Sequence, residues 1–401
     1  MRILVFNQYF SPDVAASAQR MTELLEDLAM DFEVTIVAGR PSYAPVGGDD
    51  RGNRPARLRV IRVPSTSFPR YRPWQRIANY VSYLIAASVV GLTRSRPDIV
   101  VAGTDPPFAA AAAWLVSRRF RVPFVYLLWD VQPQAALAAG LMSDGRLAQA
   151  MRWATSFLVA RAAGVVTPTA AMAATAIELG APKDRVVVHS HWEDPGIVRV
   201  EPRDNAFSRA HGLADRFVVM YAGNLGLTQQ LDRYLALARR LEDLKDLVFV
   251  FLGDGAARIT LEAAAASHPN VRFLPYQPRD TMSRSLGSAD VFFAPLATGL
   301  TRYMLPSKIY TFLASGRPIV AAIDEHCDVA DLVRTSGAGV VTAPADLDGL
   351  EREFRRLHAD PGPRQAMGRA GRAALEATYA RDIVTGRYAR WFRQFGREAR
   401  S

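Results

Sequence analysis

Short runs of aliphatic and β-branched residues alternate along the chain with longer stretches of helical periodicity. In the first half the strand-like runs are Ile3–Asn7, Val34–Ala38, Leu58–Val63, Ile99–Gly103, Phe124–Trp129, Val165–Pro168 and Val186–His189. Between them, stretches such as Ala18–Met30, Arg76–Leu92 and Gln149–Ala162 carry the spacing of helices. This rhythm predicts repeated βα units around parallel sheets. It breaks over residues 191–205, where Pro195, Gly196 and Pro202 stand among several charges. A second series then follows: Phe217–Ala222, Val248–Leu252, Val271–Pro275, Val291–Ala294, Ile319–Ala322 and Val340–Thr342, each trailed by a helical stretch. From Asp346 onward the pattern is helical only.

The simplest architecture is α/β: two doubly wound, Rossmann-like domains facing a cleft. The expected boundaries are 1–190, a linker over 191–205, and 206–379, with a last helix at about 380–401 that can pack back on the first domain. Ligands of such sheets sit beyond the carboxyl ends of the strands.

Composition narrows the class. With 49% apolar and 22% charged residues the chain is a folded globular protein, not a disordered one. Its single cysteine, Cys327, excludes an internal disulfide framework and a thiolate zinc site, and points to a reducing compartment. The net charge of +10 favours an anionic partner or surface. Arg51 to Arg96 contains ten arginines and no acid, and the last 21 residues add six more against Asp382 and Glu398. One-sided basic surfaces of this kind suit a membrane rich in anionic lipids. The run Ile77–Thr93, uncharged between Arg76 and Arg94, reads as a buried helix, with an interfacial helix next and a membrane span last.

The chemistry should lie just after the strands. Following the first strand, the small residues Ala15, Ala16, Ser17 and Ala18 open a helix whose N-terminus favours anions. In the second half, Gly223-Asn224-Leu225-Gly226 precedes a helix expected from Thr228, and Gly253-Asp254-Gly255 repeats the arrangement one unit later. Glycines there let a phosphate approach the backbone. The segment from Arg302 to Pro318 puts Pro306 at a first helical position, with Ser307 and Lys308 in the first turn. A cation opposes the helix dipole at that place, and a bound diphosphate would compensate it. Asp130 is the acidic group at the end of Phe124–Trp129; Asp105, before two prolines, reads as a turn residue. His189, His191, Glu193 and Asp194 have weak metal-ligand spacing and read mainly as structure or hinge, and Asp346-Leu347-Asp348 reads as a helix cap.

YAGNLG, FLGDG, ADVFFAPL and LPSKIYTFLASGRPIVAA, in that order, resemble the nucleotide-sugar domain of family-4 retaining glycosyltransferases of the GT-B fold. The opening NQYFSPDVAASAQRMTELLEDLAMDFEVTIVAGRPSY and the later YLLWDVQPQAALAAGL resemble the acceptor domain of that family's bacterial cell-surface polysaccharide branch. The resemblance implies that Gly223, Asn224, Gly253, Gly255, Arg302, Ser307 and Lys308 bind the donor, with Lys308 also meeting the leaving diphosphate. It implies that Asp130 faces the acceptor or the oxocarbenium-like centre, and that Ser17 and Gln19 lie on the acceptor side. The chain departs from the family's Arg/Lys pair at Asn224 and Gln229, and from its Glu-x7-Glu pair at Tyr303 and Thr311.

The expected function is metal-independent, retaining transfer of a hexose or N-acetylhexosamine from a nucleotide sugar, UDP-linked, to a hydroxyl of a lipid-linked acceptor. Its setting would be cell-surface polysaccharide or glycolipid synthesis. No cofactor or metal is implied beyond the nucleotide sugar, and no nucleic acid. The expected place is the cytoplasm, peripheral on the inner face of the cell membrane through segments 51–96 and 381–400. The alternatives are a glycosyltransferase tailoring a soluble small molecule, a sugar-nucleotide epimerase, and a non-catalytic membrane-associated scaffold of the same fold.

Overall fold

The structure, a computed structural model, describes residues 1–13, 15–41, 54–68 and 73–398. Arg51, Arg70, Arg72 and Arg400 of the two arginine-rich segments lie outside these residues. The chain forms two compact units, one of Met1–Ser190 with Asp382–Ser401 and one of His191–Arg381.

The first unit is built on seven parallel strands: β1 (Arg2–Phe6), β2 (Glu33–Ala38), β3 (Leu58–Arg62), β4 (Ile99–Ala102), β5 (Phe124–Leu127), β6 (Gly164–Thr167) and β7 (Val186–Val188). Their order is β3-β2-β1-β4-β5-β6-β7. β4, β5 and β6 are buried at every position. Strands covered by helices on both faces bury consecutive side chains, which is why they read as unbroken apolar runs. The helix Arg381–Glu398 returns to this unit and buries Val384, Tyr388 and Phe392. It is fitted by glycines: a Cβ on Gly164 would lie 2.9 Å from the Trp391 ring, and one on Gly396 2.5 Å from the Met1 sulfur. The aromatic face of this helix is therefore packed inside the unit, and Arg393 pairs there with Asp31 at 2.5 Å.

The second unit carries β8 (Phe217–Ala222), β9 (Leu247–Leu252), β10 (Val271–Leu274), β11 (Val291–Pro295), β12 (Ile319–Ala322) and β13 (Gly339–Thr342). All are parallel, in the order β10-β9-β8-β11-β12-β13. Residues 191–205 fold into this unit. Arg372 donates to the carbonyls of Val198 and Pro195, and Arg317 donates to that of Glu201 at 2.8 Å. Asp346 caps the helix Leu347–Ala359 by accepting from the Gly349 N–H at 2.8 Å. In both sheets the strand order reverses beside the first strand of the unit, between β1 and β4 and between β8 and β11. Those are the switch points where the loops part and leave room for a ligand.

Two local expectations are corrected. The helix expected from Thr228 is only a 3-10 turn, Leu227–Gln229, because Gln230 takes a left-handed conformation (φ 47°) and the α-helix starts at Arg233. Pro306 lies before the helix it was expected to begin; Ser307 is the N-cap and Lys308 the first helical residue.

Candidate active site

The second unit assembles its candidate site on the two sides of the β8/β11 switch point. β8 ends in Tyr221 and Ala222, and the chain turns at Gly223 with φ +131°, a value that L side chains avoid. Across from it, the loop after β11 leads through the 3-10 turn Leu300–Arg302 to the helix Lys308–Ser315. Lys308 reaches back to β8: its Nζ lies 3.7 Å from the centre of the Tyr221 ring and hydrogen-bonds the Tyr221 hydroxyl. The Tyr221 hydroxyl donates in turn to the Asn224 carbonyl at 2.5 Å. A Cβ on Gly223 would sit 3.4 Å from Lys308 Cε and Nζ, so this glycine backbone flanks the ammonium.

No carboxylate among the described residues pairs with Lys308. Burial pushes its pKa down to about 7. Removing a cation from water without an opposite charge disfavours the charged form. The site is thus a partly buried amine at a helix start, beside a glycine turn. Ser307 makes no capping bond with its hydroxyl. Arg302 is exposed, its guanidinium 5.9 Å from the centre of the Tyr303 ring.

Gly253 and Gly255 hold the neighbouring loop against this turn. A Cβ on Gly253 would lie 2.0 Å from the Gly223 carbonyl oxygen, and one on Gly255 2.5 Å from that of Leu225 and 2.7 Å from Asn224 Oδ1. The Leu225 N–H donates to the Asp254 carbonyl at 2.8 Å, closing the two loops together. Both glycines are therefore needed for loop-on-loop packing. Gly253→Ala, at φ +146°, should cost roughly 3 kcal/mol through the left-handed backbone and the clash combined. Urea unfolding measures it, and an unchanged midpoint would show that the two loops separate freely.

The first unit gathers a different set at the ends of β1, β4 and β5. Gln8 donates its N–H to the Asp105 carbonyl at 2.7 Å, linking the β1 and β4 loops. Asn7 donates its side-chain amide to the Tyr9 carbonyl at 2.7 Å. Gly103 leaves room for it, since a Cβ there would come within 2.3 Å of Asn7 Oδ1. Asp130 is half-buried, and its pKa is raised to about 8, first by burial and then by the charge of Asp105. Asp105, read from sequence as a turn residue, therefore belongs to this cluster. Ser17 and Gln19 lie in the first turn of the helix Ala16–Leu28 that follows β1, Ser17 half-buried and Gln19 exposed.

The histidines at the unit boundary do not form a metal site. His189 packs against Tyr388 with ring centres 4.8 Å apart, and its pKa is lowered to about 4 by burial and by Arg387. Among the described residues no three acidic, histidine or cysteine side chains gather as a metal site. Glu193 has another use. Thr311, one turn beyond Lys308 and standing where the resembled family carries a glutamate, donates to Glu193 Oε2 at 2.5 Å. A carboxylate thus comes to that helix from a residue 118 positions earlier, and no local pattern could signal the pairing.

Two α/β units of the same parallel winding, the second with a glycine turn facing a helix-borne lysine, fit the GT-B fold of glycosyltransferases. The comparisons agree. The profile of the "Glycosyl transferase 4-like domain" matches residues 14–192, and that of "Glycosyl transferases group 1" matches residues 216–360. The chain belongs to the family-4 glycosyltransferases. It is 25% identical over 374 residues to WcaI of Escherichia coli (strain K12), named as a colanic acid biosynthesis glycosyl transferase, with 89% of this chain and 92% of that one covered. It is 27% identical over 377 residues to the 2-deoxystreptamine glucosyltransferase of Streptomyces kanamyceticus, again covering 89% and 92%. Among solved structures, Anabaena HepE in complex with UDP-glucose superposes with a TM-score of 0.74 at 15% identity, covering 98% of this chain and 100% of that one.

Proposed function

We propose that this glycosyltransferase moves a hexosyl or N-acetylhexosaminyl group from a UDP-sugar to a hydroxyl of a lipid-linked acceptor, with retention and without a metal. Its setting would be cell-surface polysaccharide or glycolipid synthesis at the inner face of the cell membrane. The observation that carries the reading is the Lys308 ammonium, partly buried beside Gly223 with no carboxylate among the described residues to neutralise it. A diphosphate supplies that charge, and its attraction grows as the anomeric bond breaks and negative charge builds on the leaving oxygen. The acceptor oxygen bonds to the anomeric carbon on the face the diphosphate leaves. The bonding pair departs with the diphosphate, and the hydroxyl proton passes to its departing oxygen. Asp130 is assigned to the acceptor or oxocarbenium-like centre, where a cationic neighbour would draw its pKa down.

The likeness to the 2-deoxystreptamine glucosyltransferase favours one second reading, transfer to a soluble small acceptor. Exposed apolar helices in the first unit favour the lipid-linked one.

Thermal unfolding with UDP, GDP and TDP tests the donor half. At a ligand concentration 100 times its dissociation constant, UDP should stabilise the protein by about 2.7 kcal/mol. A shift with GDP alone would replace the base, and no shift with any of the three would remove the donor site. Turnover that survives EDTA and a product with the donor's anomeric configuration, read by NMR, would support the other terms. An inverted product would overturn retention.

A further inference from the structure

The helix Pro73–Leu92 is apolar on two opposite sides, and the fold uses one of them. Asn79, Tyr83, Ala87 and Gly91, four apart, form its buried seam. The Tyr83 hydroxyl donates to the Val37 carbonyl at 2.8 Å, and a Cβ on Gly91 would strike Phe6 and Val116 at 2.6 and 2.7 Å. Two residues, or about 200°, away round the helix runs a second stripe at the same interval: Ile77, Val81, Ile85 and Val89. All four are exposed, Ile85 by 62%, and Trp74 extends the stripe at its start. Scattered apolar residues on a surface need no explanation, but a continuous stripe along a whole helix does.

The neighbouring helices continue the same surface. Pro73–Leu92 packs against Ala109–Phe120, which packs against Arg146–Arg161. Trp114 of the middle helix meets Phe157 of the third edge-on at 5.1 Å, and Phe157 in turn lies 5.4 Å from Trp153. Trp153 is 68% exposed, and Leu115 and Leu147 are also exposed. None of these three helices contains an aspartate or glutamate, while they hold Arg76, Arg118, Arg119, Arg146, Arg152 and Arg161. Of the acids next to their ends in sequence, Asp98 accepts from the Arg2 N–H at 2.7 Å, Asp105 lies near Asp130 at the strand ends, and Asp144 pairs with Arg152 at 2.7 Å. The helix Ala16–Leu28, by contrast, carries Glu23, Glu26 and Asp27. Acids are thus missing from the layer whose outer side chains are apolar.

We infer that the layer formed by the helices 73–92, 109–120 and 146–161 is the face on which the protein lies on an anionic bilayer. The inference deepens the membrane part of the reading above and rests on it. Charge complementarity selects the occupant: an apolar stripe among arginines, of which Arg152 is paired with Asp144 and the helices themselves carry no acid, matches acyl chains under anionic headgroups. Exposed tryptophan suits that boundary, with its apolar ring and polar N–H. The attachment is along the surface. No helix among the described residues is long and apolar enough to cross a membrane, and the seam of helix 73–92 is fastened to its own sheet.

Flotation with vesicles of phosphatidylcholine, with and without phosphatidylglycerol, tests this on the full chain. The wild type should bind the mixed vesicles at least about tenfold more strongly than phosphatidylcholine alone, and added salt should release it. I77E/I85E should lower binding to mixed vesicles by about tenfold or more, because it places two carboxylates in the stripe. Both positions are exposed and lie outside the donor site, so the UDP-induced thermal shift should persist and report a folded variant. If the wild type floats and I77E/I85E floats equally, another surface holds the membrane and this face is overturned. If the wild type does not float, the membrane reading itself fails. Sedimentation velocity covers the remaining occupant: a wild-type dimer that I77E/I85E splits, without vesicle binding, would make this face an interface between two copies and overturn the inference.

Discussion

Lys308→Met should lower kcat/KM by about 10²–10³-fold and at the same time raise the melting temperature of the ligand-free protein at pH 7. Methionine keeps most of the stem that crosses the Tyr221 ring and removes the charge. In the wild type the folded pKa is about 7, against 10.5 as the ordinary lysine value. Between those limits the unfolded chain binds the proton more tightly than the folded one. The stability of the ligand-free protein should therefore rise as pH increases through this window, with the full burden of the buried charge present below pH 7. The methionine variant should lack that slope. Diphosphate binding runs the other way: a nearby anion favours the ammonium, so binding takes up a proton, and affinity falls by up to about tenfold per unit above pH 7. Calorimetry in two buffers of different ionisation enthalpy counts that proton. Wild-type UDP affinity and proton uptake in the methionine variant would sink the assignment. The increase in stability separates loss of function from loss of fold.

The two-sheet architecture was legible because central parallel strands are covered on both faces and so appear as short apolar runs. β8, β9 and β11, buried throughout, begin and end within a residue of the expected positions. Lys308 was legible too, since a lysine at a helix start needs a reason. Its partner was not. Tyr221 is a buried strand residue like its neighbours, and nothing in YAGNLG distinguishes a packing tyrosine from one that holds an ammonium. Gln230 hid the end of a short turn, because its left-handed backbone carries no glycine to announce it. Asp105 looked like turn chemistry beside Pro106, and its influence on Asp130 depends on β4 and β5 being neighbours. Strand order is a tertiary fact. The Thr311–Glu193 bond is the extreme case: two ordinary residues, distant in sequence, restore a carboxylate where the local motif lacks one.

Asp130→Asn should lower turnover by about 10²–10⁴-fold while UDP binding stays at the wild-type level, because Asp130 lies in the first unit and the proposed UDP site in the second. The pH dependence makes the test specific. With a pKa near 8, most wild-type molecules hold Asp130 neutral at pH 7. If the carboxylate is the active form, kcat/KM should rise with pH and level off above about 8. Asp105→Asn removes a like charge from its surroundings, so the same limb should move to lower pH, with faster turnover at pH 7. Stability has the opposite sign. A carboxyl held neutral by the fold binds its proton more tightly folded than unfolded, so its contribution is lost as pH rises from about 4 to about 8. Asp130→Asn should therefore gain stability over the wild type across that range and keep the gain above it. An inactive variant that is also less stable at pH 8 would make Asp130 a structural carboxyl. A variant that keeps its turnover, or a rate limb that ignores Asp105→Asn, would take it out of the reaction. If the limb moves and the stability gain appears together, one half-buried carboxyl accounts for both, kept neutral at pH 7 by lost solvation and by the charge of Asp105, and active once it has given up its proton.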